Sequence, residues 1–224
     1  MKRIILLICV LCLFTVSVSA SDSEQVIYRY KENDRMEIAL TFDDGPHPYY
    51  TGKILDILDE YGIKATFFFV GQNVEYYSDA AEKVMAAGHE IGNHTYTHHC
   101  VRALGHDELI KELGRCEDAI FELDEYRPRV FRPPEGAFND DVEKTAQSLG
   151  YSVILWSIDT RDWDHQSPDN IMKNVMTNVK SGDIILMHDY IGHNSPTPDA
   201  LRMIIPALIE RGYHFVTVSE LISD

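Results

Sequence analysis

Short apolar runs alternate with longer amphipathic stretches along this chain. The runs predict strands at 37–42, 64–70, 89–92, 129–131, 152–158, 183–188 and 214–218. Between them, apolar residues spaced three and four apart predict helices at 51–61, 78–87, 106–122, 139–149, 167–180 and 197–211. "SPDN" at 167–170 puts a serine before a proline, a helix-start signal. Gly62, Gly88, Gly150, Gly182 and Gly212 each stand just past a predicted helix, where a left-handed cap favours glycine.

This repetition of helix, glycine and strand predicts an α/β fold, either a (β/α) barrel or an open parallel sheet. In both, chemistry gathers at the C-terminal ends of the strands. Five polar segments fall at such ends: Asp43–Asp44, "NHTYTHH", "RPPEG", "DTRDW" and "HD".

Residues 1–20 follow another pattern. Lys2 and Arg3 precede an apolar run from Ile4 to Val18, and "VSA" offers small residues before a cut after Ala20. That is the layout of a secretory signal peptide, and the run is short for a membrane span. Neither Cys9 nor Cys12 follows the small residue that a lipoprotein cut requires. Residues 21–35 read as a polar lead-in and 36–224 as one domain. The expected location is outside the cell or at its wall.

The chain of 224 residues has a formal net charge of −16, and loses two positive charges with the leader. Such a surface argues against nucleic acid as a partner, because backbone binding needs cations. It also disfavours anionic envelope polymers and suits a neutral or partly cationic substrate. Beyond the leader only Cys100 and Cys116 remain, and export permits a disulfide or two free thiols. No further run is long enough to span a membrane, and a monomer is expected.

Two adjacent carboxylates at the end of an apolar strand repel each other, and burial adds to the cost of ionising them. A metal resolves this: Asp44 can be a ligand, Asp43 a base, and the cation keeps both charged. His94 and His98, four apart, would share one face of a helical turn. With ten histidines, about half such a pair arises by chance, so Asp44 as a third donor is what gives the pair weight. Arg132 in "RPPEG" can hold a carboxylate by a bidentate pair. His188 at the end of "IILMH" suits a general acid. Trp156 and Trp163 flank "SIDTRD", where aromatics suit sugar binding.

Taken in order, "TFDDGP" at 41–46, "HTYTH" at 94–98, "RPPEG" at 132–136, "DTRDW" at 159–163 and "LMH" at 186–188 resemble the polysaccharide deacetylase family. This is the NodB-homology domain of carbohydrate esterase family 4, and the likeness spans about residues 36–222. The resemblance implies a distorted (β/α) barrel, often of seven strands, and a divalent metal, usually zinc, on Asp44, His94 and His98. It implies Asp43 as general base, oriented by Arg132, and His188 as general acid paired with Asp162, ahead of Asp159. Trp163 and Leu186 would line the groove. Glu135 stands where the family often has an aromatic residue; its backbone N–H would help hold the oxyanion, while its side chain shapes the groove. The implied reaction is removal of N-acetyl groups from N-acetylglucosamine in a glycan, peptidoglycan first. Chitin oligomers and O-acetylated xylan are the alternatives. A non-catalytic carbohydrate-binding protein is the reading from another class, and no expected catalytic residue is missing.

Overall fold

The structure, a computed structural model, describes residues 26–30 and 35–223. The predicted leader lies outside the described residues. The described strands are β1 (Val26–Ile27), β2 (Glu37–Gly45), β3 (Thr66–Phe69), β4 (Glu90–Asn93), β5 (Val130–Phe131), β6 (Ser152–Ile154), β7 (Ile158–Asp159), β8 (Ile184–His188) and β9 (His214–Phe215). They form one curled sheet in the order β1-β6-β5-β4-β3-β2-β8-β7, with β9 on the start of β2, and all these pairings are parallel. The helices are α1 (Tyr50–Glu60), α2 (Gly71–Tyr76), α3 (Ser78–Ala86), α4 (His106–Asp124), α5 (Asp140–Ser148), α6 (Pro168–Asn178), α7 (Thr197–Glu210) and α8 (Val218–Ile222).

This is the expected distorted (β/α) barrel, with nine strands in place of seven. Two departures account for the difference. The run at 152–158 is broken: β6 ends at Ile154, and β7 starts at Ile158 on the far side of β8. The lead-in also supplies β1, which pairs with β6. Arg29 then bridges to Asp183, and the Tyr30 N–H donates to the Gly182 carbonyl at 2.9 Å. The lead-in thus lies across the seam between the β6 and β8 sides of the barrel.

Pleat alternation sorts β2 into two faces. Ile38, Leu40 and Phe42 point outward and share a core with Ile54, Ile57 and Leu58 of α1 and Leu201, Ile204 and Leu208 of α7. Ala39 points inward and meets Phe68, Val130, Ile154 and Ile184. Val218 and Leu221 of α8 close this interior cluster at the end opposite the strand C-termini. The run 214–218, expected as one strand, yields to α8 because Thr217 and Glu220 form a capping box. Buried Glu90 holds α8 in place, accepting from Thr66 Oγ1 at 2.7 Å and the Ser219 N–H at 3.1 Å.

The five helix-ending glycines have φ between 64° and 86°, the left-handed region expected of them. Cys100 and Cys116 are free thiols. Cys116 is buried, which pushes its thiol up to about 12, and it donates to the Phe69 carbonyl at 3.3 Å. Among the described residues no helix is long and apolar enough to cross a membrane.

Candidate active site

Asp43 has the inward parity of Ala39 and Thr41. Strict alternation would send Asp44 out toward the helices. Instead the register against β3 shifts between Asp43 and Gly45, and Asp44 takes φ 71°. This bulge brings two consecutive carboxylates to one site. Asn73 of α2 supports it, donating to the Asp44 carbonyl at 2.9 Å. Gly45 is required there, because a Cβ would stand 2.1 Å from Asp189 Oδ2.

His94 and His98 converge as expected, but not on a helical turn. Residues 94–98 form an irregular loop after β4, with Thr95 at φ 65° and His98 at φ 61°. Two left-handed residues fold the loop back on itself and bring the ring centroids to 5.0 Å. Glu112 of α4 pins the loop, accepting from the N–H groups of Tyr96 and Thr97 at 3.1 and 2.8 Å.

The donor set fits a divalent cation. His94 Nδ1 lies 2.7 Å from the Arg132 carbonyl, which can only accept, so Nδ1 carries the proton and the Nε2 lone pair faces the site. Asp44 Oδ1 is 3.4 Å from that Nε2 and 3.0 Å from His98 Nε2. It is buried without a hydrogen-bond partner. One donor atom from each of the three residues lies within 4.8 Å of the others.

Arg132 is fully buried inside the barrel, its guanidinium 4.1 Å over the Phe68 ring. The expected bidentate pair is not formed. Nη1 alone reaches Asp43 Oδ1, at 2.7 Å, and also donates to Thr41 Oγ1 at 2.7 Å. Nε and Nη2 donate to the Ile154 and Leu155 carbonyls at 3.3 and 2.9 Å. The break between β6 and β7 frees the Leu155 carbonyl for this use, so the guanidinium is held on three sides.

His188 sits beside Asp43 in the β2–β8 register. Its Nδ1 is 2.8 Å from Asp162 Oδ1, and its N–H donates to Asp162 Oδ2 at 2.8 Å. Asp162 also accepts from Thr197 Oγ1 at 2.7 Å and the Trp163 N–H at 3.0 Å. Burial opposes protonation of His188, yet the Asp162 carboxylate, with Asp43 and Asp44 nearby, raises it to about 9. Asp159 is not part of this pair. It accepts from the Arg161 N–H at 2.8 Å and Trp163 Nε1 at 3.2 Å.

Trp163 is exposed at the rim, while Leu186 is 3% exposed and lies one pleat below His188, on the floor of the site. Trp156 packs beneath the "RPPEG" turn, where a Cβ on Gly136 would come within 2.7 Å of its ring. Glu135 is exposed with φ 58°. The contact with Asp44 is what chiefly raises the His98 imidazole, and the Glu135 charge adds to it. Sequence reasoning missed Asp189, Thr197 and Thr41. Asp189 directly follows His188, and the "HD" pair was its only signal. It is fully buried, accepts from Thr51 Oγ1 at 2.6 Å, and burial raises it to about 7.

A family profile described as Polysaccharide deacetylase matches residues 30–154. A peptidoglycan-N-acetylglucosamine deacetylase of Bacillus cereus is 44% identical over 192 residues, covering 85% of this chain and 90% of the relative. A chitooligosaccharide deacetylase of Sinorhizobium fredii is 35% identical over 187 residues, covering 79% and 87%. The crystal structure of the Bc1960 peptidoglycan N-acetylglucosamine deacetylase superposes with a TM-score of 0.85 at 36% identity, over 88% of this chain and 92% of that one. Profile, relatives and fold agree, and the chain belongs to the polysaccharide deacetylase family.

Proposed function

We propose that this enzyme removes N-acetyl groups from N-acetylglucosamine residues of peptidoglycan with the help of one divalent metal ion, zinc in the first instance. The observation that carries the reading is the orphaned, buried Asp44 Oδ1 facing His94 and His98, with Asp43, held by Arg132, and His188, held by Asp162, side by side on β2 and β8. Asp44, His94 and His98 would hold the ion, and the chemistry it would supply there is Lewis-acid polarisation of the N-acetyl carbonyl and of a water molecule.

The chain's own residues supply the proton transfers. Asp43 takes the proton of the attacking water, and Arg132 holds its carboxylate in place. The N–H of Glu135 donates to the developing oxyanion. His188, protonated and held by Asp162, gives a proton to the departing nitrogen. Acetate and a free amino sugar are the products. Trp163 forms a groove wall and Leu186 its floor. The enzyme acts as a monomer, exported after cleavage near Ala20.

The relatives named for peptidoglycan support this substrate, and the Sinorhizobium relative supports chitin oligomers as the second reading. Acetate release from purified peptidoglycan, chitin oligomers and acetylated xylan, with metal content measured on the same sample, tests both. Release from xylan alone would overturn the N-deacetylase reading.

A further inference from the structure

A band of aromatic rings leads away from the site along the rim. Tyr190 lies two residues beyond His188 and stacks on His47, with centroids 4.2 Å apart and planes at 7°. His47, three residues beyond Asp44, also meets Tyr50 at 5.3 Å and Tyr77 at 6.2 Å. Tyr76 continues the band edge-on, 6.4 Å from Tyr77. Beside these two rings is a cleft of ≈ 370 Å³ lined by Pro48, Tyr76, Tyr77, Asp79 and Lys83.

The band is built rather than incidental. His47 Nδ1 accepts from the N–H groups of Tyr49 and Tyr50 at 3.2 Å each. The His47 N–H donates to Thr51 Oγ1 at 2.7 Å, and that hydroxyl donates to buried Asp189. The imidazole at the centre of the band is therefore fixed from below. Tyr76 is nevertheless 72% exposed and Tyr77 39%.

We infer that this band is a second, remote subsite for the glycan, holding sugars of the same chain several units from the one that reacts. The inference rests on the glycan reading above. Three observations select this occupant. The band is continuous with the site through His47 and Tyr190, so one extended ligand can touch both. The exposed rings of the band, Tyr76, Tyr77, Tyr190 and Tyr49, are all tyrosine. A tyrosine offers a flat apolar face to the C–H face of a pyranose and a hydroxyl to its hydroxyls. The cleft also places one carboxylate, Asp79, and one amine, Lys83, on its wall, where both can hydrogen-bond sugar hydroxyls.

The test is a Tyr76→Ala/Tyr77→Ala variant, with thermal melting and metal content confirming that it is intact. Neither residue belongs to the catalytic machinery. KM on a long soluble chitin derivative rises roughly 5- to 20-fold, as loss of stacking contacts implies. On an N-acetylglucosamine tetramer kcat and KM stay at the parent values. The Tyr76→Phe/Tyr77→Phe variant restores much of the affinity for the long polymer. Equal KM changes on long and short substrates, or none on either, overturn the inference. So does conversion of a dimer to a monomer in sedimentation velocity, which makes the band a self-interface. Co-sedimentation with insoluble chitin and with peptidoglycan, in an Asp43→Asn background, reads the subsite without turnover. Weaker retention of the alanine variant supports the inference, and equal retention overturns it. If the parent protein releases no acetate from any glycan yet shows this retention difference, the proposed reaction fails and the subsite stands.

Discussion

Arg132 Nη1 donates to Asp43 Oδ1 at 2.7 Å, and the two side chains are 0% and 5% exposed. This is a charge pair closed off inside a barrel, one turn of chain away from a metal-type donor set. Breaking such a pair by removing one partner costs about 3–5 kcal/mol, because the other charge is left buried alone. Arg132→Met is therefore expected to lower the denaturation midpoint and, with Asp43 no longer held in place, to lower kcat. A variant with parent stability and parent kcat would show that Arg132 does not position Asp43.

His188 gives a pH prediction. Its folded-state value, about 9, lies above its ordinary 6.5. The stability that protonation contributes is fully present below 6.5 and is lost as pH rises through about 9. If His188 is the proton donor, as proposed, it also sets the alkaline limb of kcat/KM. Asp162→Asn removes the carboxylate that raises it, so the limb moves to lower pH. Thr197→Val removes a donor that shares the Asp162 charge, leaving more of it for His188, and should move the limb to higher pH by a smaller amount. A bound cation draws the limb downward in all three proteins, and the differences between them keep their sign. If Asp162→Asn leaves the limb in place, the acid is another group.

Glu135 allows the oxyanion donor to be separated from the side chain. Its φ of 58° is closed to proline, so a proline variant would rebuild the turn as well as remove the N–H. Glycine keeps the N–H and accepts this φ without strain. Glu135→Gly and Glu135→Tyr are expected to retain kcat within about 3-fold, a small loss beside the 10²–10³ that follows removal of an oxyanion donor. KM shifts, because a carboxylate beside His98 is lost. A kcat reduced by that larger amount in both variants assigns the side chain itself to the reaction.

Much of the barrel was legible because the outward face of β2 and the helix stripes carry their own periodicity. The break between β6 and β7 was not legible. "SVILWSI" is apolar throughout, and what divides it is the need for the Leu155 carbonyl to meet Arg132 and for Ser157 to pair with Ile184. Thr217 and Glu220 did carry a readable capping signal for α8. The ligands were visible as residue types at strand ends. Their assembly was not: it depends on the bulge at Asp44 and on Glu112, fifteen or more residues from the loop it pins. Asp162 and Asp159 could not be separated by spacing alone. Thr197, on a distant helix, marks which of them is buried.

The most direct measurement of the central claim is metal content and turnover in Asp43→Asn beside Asp44→Ala. Two side chains adjacent in sequence are assigned different work: Asp44 binds, and Asp43 moves a proton. Three protein ligands are the usual set for a catalytic zinc, so Asp44→Ala should lose most bound metal and activity together. Asp43→Asn should keep a full metal complement, still accept the Arg132 bond, and lose about 10²–10⁴ in kcat. Loss of metal from Asp43→Asn to the extent seen in Asp44→Ala, or turnover near the parent rate with metal in place, would contradict the account.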